Sequence, residues 1–437
     1  MTDPNQPLFN TSETIKLFLL LVVTGSFLGG CDALTDVQPN DKTVPAEELE
    51  NPSSFEARLV GAQADFFFAY DMAVAWQGLH TDELYDPGSS VEQRRVLPSN
   101  ATIGSVDEAP EGIDGLWTPM QRAAFVTNDL QGDIKDENFP EQVPDPENSP
   151  QLARVSLFAG YTKVVLADLF CSLAFGGDGP ELSPADTYQQ AVEDFTEAIE
   201  ASNADPEIRN AAYVGRARAH LQLGNEEEAL SDAEEVPRGF EYAPNAFSTN
   251  SQREQNDLWN MLTDSQRFTV DPRFRSMVVD ESNTPDPRVE VFQDPDDPVG
   301  IDGSTPQYQA EKYTSPTSPI RIASWVEAQY IIAEIEGGQQ AVDIINDVRS
   351  EQGIDETFSS SDDVEIRNKV MDERRRALFL EGQRMGDLRR YLDKFDSLPE
   401  EGRFPTGEDA DIDPPSEYED GVCFPLPDAE RETNPGL

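Results

Sequence analysis

The sequence predicts a mainly α protein, built of antiparallel helical hairpins packed with a loop-rich irregular region. Three observations carry this. Apolar residues recur at steps of three and four through most of the chain. One stretch, 211–237, carries the small residues and turn glycine of a helical repeat. Between 237 and 319 the period disappears into Pro, Asp, Ser and Asn.

Taken in order, residues 53–78 place Phe55, Leu59, Ala62, Phe66, Tyr70 and Ala73 on one helical face behind a starting cap at Asn51-Pro52-Ser53. A second helix runs over 114–131 through Leu116, Met120, Ala123, Phe125 and Leu130, and the Pro-rich stretch 136–150 ends it. Residues 151–172 are the most apolar of the chain, and a further helix covers 186–201. In 211–237, Tyr213, Ala217, His220, Gly224, Ala229 and Ala233 fall where a tetratricopeptide unit needs an aromatic, small residues and a turn glycine. Small residues let paired helices approach closely, and Gly224 suits the turn. Helices return at 320–335 and 339–351, and as one long helix over 363–394 with Gly382 inside it. The tail, 396–437, is rich in Pro and acid.

With 85 acidic against 32 basic residues, the formal charge is −53. Such self-repulsion destabilises a compact state in dilute buffer. At molar salt the Debye length falls to about 3 Å and the repulsion is screened. The balance reads as adaptation to a salty medium, and it excludes nucleic acid as a partner.

The amino terminus carries an apolar run over 17–28, too short to span a bilayer, which ends in Leu28-Gly29-Gly30-Cys31. An apolar segment followed by small residues marks a secretory cleavage site. A cysteine directly after it is the lipobox arrangement, in which the thiol takes a diacylglycerol. The expectation is a lipoprotein signal peptide over 1–30, a lipidated Cys31 that anchors the chain to the bilayer, and a polar tether over 31–50. The folded body is then 51–437, with repeat-like helices within 151–236 and 320–395 and an irregular ligand-side excursion over 237–319. Outside the reducing cytoplasm the two remaining cysteines, Cys171 and Cys423, are read as a disulfide, with two buried thiols as the alternative.

Several further segments resemble one family in order along the chain. They are the lipobox, Gly78-Leu79-His80-Thr81-Asp82-Glu83, Trp117 with Asn128, Lys312-Tyr313, Ile320-Arg321, Glu327, Ala333-Glu334, Ile345-Asn346 and Val348-Arg349. The most specific is the run from Glu373 to Arg384 (ERRRALFLEGQR) with Asp387-Leu388-Arg389-Arg390, closed by Phe424-Pro425-Leu426-Pro427, Glu430 and Asn434-Pro435. Together they resemble the SusD/RagB nutrient-binding outer-membrane lipoproteins. Ala377, Gln383 and Met385 stand where that family often has Glu, His and an aromatic residue. The charged residues of the run, three apart on a helix, are read as scaffold pairs and not as a ligand site.

The resemblance implies a SusD-like tetratricopeptide scaffold on the cell surface. It implies capture of an oligosaccharide or peptide for a SusC-like TonB-dependent transporter, with no cofactor. Aromatic and polar residues near the loops are the ligand candidates: Trp76, His80, Tyr85, Phe240 and Tyr242. A lipid-anchored repeat scaffold for envelope assembly is the alternative. No nucleophile elbow, phosphate loop or zinc spacing appears, so no catalytic residue and no metal site is assigned. His80 with Asp82 and Glu83 is a weak metal motif, and the acidic run 294–297 lacks a calcium loop's spacing.

Overall fold

The computed structural model describes residues 51–86, 116–201, 205–244, 255–280, 283–408, 417–418 and 421–437. Cys31, the signal peptide over 1–30 and the tether over 31–50 lie outside them. The body from Phe55 to Leu437 forms one compact unit.

It is mainly helical. The long α1 (Phe55–His80) packs against α2 (Trp117–Lys135) and α3 (Pro150–Leu169). Then α4 (Pro184–Ala201), α5 (Pro206–Leu223) and α6 (Glu226–Glu234) follow as successive antiparallel neighbours. Local chemistry sets several ends. The Ser149 hydroxyl accepts the Leu152 N–H ahead of Pro150 at the first helical position of α3. Asp205 accepts the Glu207 and Ile208 N–H groups before Pro206 in the same way. At the end of α5, Gly224 adopts φ +75°, the left-handed turn that leads into α6.

The repeat packs as its small residues require. The Phe195 ring of α4 lies between Gly160 on α3 and Gly215 on α5, and an added Cβ at either glycine would come within 2.8 and 2.4 Å of that ring. Ala217, Ala229 and Ala233 are fully buried, while Tyr213 and His220 are half-buried. Side-chain volume at the glycines would push these helices apart.

After α6 the chain loses regular structure, as the loss of period predicts. Short antiparallel pairs tie the excursion to the body: β1 (Leu84–Tyr85) with β3 (Thr269–Val270), β2 (Glu241–Tyr242) with β6 (Ala323–Ser324), and β4 (Val291–Phe292) with β5 (Gln309–Ala310). Helices resume with α7 (Trp325–Glu336), α8 (Gly338–Glu351), α9 (Asp363–Ala377) and α10 (Arg384–Lys394). The first of these starts five residues later than its apolar pattern predicts, because 320–324 is extended and β6 pairs with β2.

The single long helix expected over 363–394 is corrected. It breaks at 378–383 into α9 and α10, and Gly382 sits in the break and not in mid-helix. Both Leu380 (φ +55°) and Gly382 (φ +78°) are left-handed there, which ends the α-helical ladder. A Cβ on Gly382 would meet Val74 at 3.1 Å, Tyr70 at 3.2 Å and Gln77 at 3.3 Å, so the break also lies hard against α1.

Around Phe424 the tail runs as extended backbone against the body, before a short helix at Asp428–Thr433. Cys171 N–H donates to the Phe424 carbonyl and Phe424 N–H to the Leu169 carbonyl, each at 2.8 Å. Beside this bridge the sulfurs of Cys171 and Cys423 are joined, with Cα atoms 5.2 Å apart. Among the described residues no helix is long and apolar enough to cross a membrane.

Candidate functional site

The break between α9 and α10 is held from several remote elements at once. Glu83 accepts the Leu380 N–H at 2.8 Å, Tyr313 donates to the Leu380 carbonyl at 2.7 Å, and Tyr70 donates to the Glu381 carbonyl at 2.7 Å. The Glu381 carboxylate is buried and takes Lys312 and Arg321. Around it, buried charges meet partners on other elements. Arg218 on α5 clasps Glu327 on α7 at 2.6 and 2.8 Å, and Arg374 and Arg390 share Asp387 at 2.7 and 2.8 Å. Glu373 meets Arg288 and Arg349. Of the helix-spaced charges in the run, Asp387–Arg390 alone pairs three residues apart among the described residues.

This much buried charge is an expensive way to build a core unless every partner is in place. Burial works against the Asp82 and Glu381 carboxylates. The Arg384 and Arg375 guanidinium groups beside Asp82, and Arg321 with Lys312 beside Glu381, outweigh it and hold both below the usual carboxylate range. Glu83 is the exception. Burial pushes it up to about 7, and its second oxygen has no hydrogen-bond partner among the described residues.

Next to this network a polar cleft of about 510 Å³ opens, lined by Asp82, Arg273, Arg375, Glu400, Glu401 and Arg403, with Phe404, Pro405 and Thr406 along its side. Asp82 follows the end of α1, and Arg273 belongs to the turn Pro272–Phe274 after β3. Arg375 lies on α9, where Asp372 holds it at 3.0 Å and the Phe274 ring lies 5.3 Å below its guanidinium. Arg403 donates to the Pro399 carbonyl at 3.2 Å and to the Leu398 carbonyl. Guanidinium donors and carboxylate acceptors facing one cavity suit a ligand rich in hydroxyl or acidic groups.

Residues 306–437 match the sequence profile of the SusD family, and this stretch contains the whole charged run and the closing tail. Over that stretch the chain is similar to the SusD family. Among curated proteins no sequence match was found. Solved structures share its fold over nearly their full length. A SusD-like carbohydrate-binding protein from Bacteroides vulgatus is 14% identical, with TM-score 0.59, over 89% of this chain and 97% of its own. Surface glycan-binding protein A from Bacteroides uniformis is 15% identical, with TM-score 0.56, over 89% and 99%. A laminarin-binding SusD-like protein is 16% identical, with TM-score 0.57, over 86% and 99%.

Most of the aromatic ligand candidates lie inside the core. Trp76 is buried on α1, edge-on to Phe424 at 6.4 Å. His80 is buried one turn further on, with Phe424 at 5.0 Å and Phe404 at 5.7 Å, and its Nε2 donates to the Gly421 carbonyl at 3.1 Å. These two therefore meet at Phe424, behind the cleft wall. Tyr85 is buried in β1, its ring 5.6 Å from the Arg275 guanidinium, which also lies 4.1 Å from Tyr308. Tyr242 is buried in β2 opposite Ala323, and Phe240 is half-buried just before it, accepting the Trp325 N–H at 2.8 Å. The last two belong to the strand ladder beside α7 and not to the cleft.

The arginines and glutamates of the cleft were not singled out as ligand groups in the sequence. Their signal was present in two short pieces, Asp271-Pro272-Arg273 and Glu400-Glu401-Gly402-Arg403-Phe404, where arginine interrupts Pro- and acid-rich loops.

Proposed function

We propose that this protein is a SusD-type surface lipoprotein, held to the outer membrane by an acylated Cys31, that captures a nutrient and delivers it to a SusC-like TonB-dependent transporter. An oligosaccharide is the favoured ligand and a peptide the second choice. The observation that carries this reading is likeness to the SusD family profile joined to likeness of fold. The profile match covers the charged run and tail, and the similar structures include proteins named for carbohydrate, glycan and laminarin binding.

The protein acts by binding and not by turnover. The polar cleft supplies hydrogen-bonding groups at the surface, and the charged network behind it fixes their positions. The glycine pair before Cys31 and the apolar run preceding it support export and lipidation. Loss of the acyl chains would leave the body unanchored, since each buried methylene contributes about 0.8 kcal/mol to membrane binding.

The test is retention of a glycan panel by the purified chain in molar salt, where the charge of −53 is screened. Saturable binding of at least one glycan supports capture. If every glycan passes unretained while a peptide library is held, the ligand is a peptide. If nothing is held, the capture reading fails and a scaffold role takes its place.

A further inference from the structure

We propose that the cleft beside Asp82 is an anion subsite, which takes the carboxylate of a uronate residue in the captured oligosaccharide. This rests on the reading of the protein as a glycan binder and names the class of glycan. The acidic charge of Asp82 is already spent, since both its oxygens accept from Arg384, at 2.7 and 2.9 Å. Two further arginines of the cleft are paired with acids outside it, Arg273 with Asp271 at 3.5 Å and Arg375 with Asp372 at 3.0 Å, and Arg403 stands beside them with Glu400 and Glu401.

Arg403 is the decisive residue. It is exposed at the cleft, and its two hydrogen bonds go to the backbone carbonyls of Leu398 and Pro399. Those neutral acceptors orient the guanidinium without cancelling its charge. No carboxylate among the described residues forms an ion pair with it, although Glu400 and Glu401 lie three and two positions away. A ligand carboxylate would supply the missing anion, and the planar guanidinium suits its two oxygens. The glutamates are acceptors for sugar hydroxyls on either side.

The acidity of the rest of the chain does not forbid this. At molar salt the Debye length is about 3 Å, so long-range repulsion is screened while a direct guanidinium–carboxylate contact survives. The volume, about 510 Å³, falls in the range of small-ligand pockets.

The experiment is calorimetry on the full chain in molar salt with trimers of galacturonate, mannuronate and guluronate, each beside its methyl ester. The ester keeps the ring and hydroxyls but removes the charge. We expect one uronate to bind about tenfold or more tighter than its ester. The Arg403→Gln variant should bring that ratio close to one at an unchanged thermal midpoint. Equal affinity for acid and ester, or an acid preference that survives Arg403→Gln, overturns the proposal. Binding confined to neutral glycans overturns the anion subsite and leaves glycan capture intact, whereas binding of no glycan at all removes both.

Discussion

Arg384 reaches across 302 residues of chain to close a two-point contact on Asp82, Nε to Oδ1 at 2.7 Å and Nη2 to Oδ2 at 2.9 Å. Both side chains are almost wholly out of solvent, at 3% and 6% exposure. The pair joins the first turn after α1 to the start of α10. It thus locks the element resembling the family's early acidic motif onto the run nearest the carboxyl terminus.

Removing one member leaves the other buried and uncompensated, which costs about 3–5 kcal/mol. Asp82→Asn and Arg384→Gln should each lower stability by that amount in urea titrations at molar salt. Lys135→Gln, which breaks an ion pair to Glu197 from a half-exposed lysine, should cost about 1 kcal/mol or less. Equal losses at the two sites would show that the buried pair is not a structural lock.

The helix break makes a second prediction. Gly382 has φ +78° and lies against Val74, Tyr70 and Gln77, so Gly382→Ala should destabilise by about 1–3 kcal/mol. Gly61, on α1 with open space around it, should tolerate alanine or gain up to about 1 kcal/mol. Thermal melts of the two variants, compared side by side, check the contrast.

Glu83 makes stability depend on pH in a defined direction. Its folded pKa is pushed up to about 7 by burial, against an ordinary value of 4.5. The folded chain therefore holds a proton that the unfolded chain has lost, and this contribution is full below pH 4.5 and disappears as pH rises to 7. Glutamine mimics the protonated acid and keeps an acceptor for the Leu380 N–H. Glu83→Gln should match the native protein below pH 4.5 and exceed it at pH 8, by a difference on the order of 3 kcal/mol. A pH-independent difference would contradict the assignment.

The charge of −53 predicts that the thermal midpoint rises steeply between about 0.1 M and 2 M salt as self-repulsion is screened. A flat or falling midpoint in calorimetric scans would show that acidity is not a burden on the folded state.

The helices were legible because burial imposes their period. Phe55, Leu59, Ala62 and Phe66 mark α1, and Ala217, Gly224 and Ala229 mark the repeat hairpin. The break at 378–383 was not. Its charges keep helical spacing, and Leu380 gives no sign of a left-handed backbone, which Tyr313, Glu83 and Gly382 impose through tertiary contact. Spacing also misassigned most of the ion-pair partners. It pointed to neighbours three apart, which holds for Asp387 and Arg390, whereas Arg384 pairs with Asp82 and Glu373 with Arg288 and Arg349. For the site, aromatic character pointed toward Trp76, His80, Tyr85 and Tyr242, which are buried. Burial is the common fate of such side chains. The cleft arginines come from three separate segments, and no local pattern announces that Arg273, Arg375 and Arg403 share a cavity.

The central claim is capture for a transporter, and co-purification tests it most directly. The protein would be recovered from its native host in mild detergent and molar salt, and its partners identified by mass spectrometry. The account predicts a TonB-dependent barrel in near-equal amount. Recovery of the folded protein with soluble partners and no barrel would contradict it.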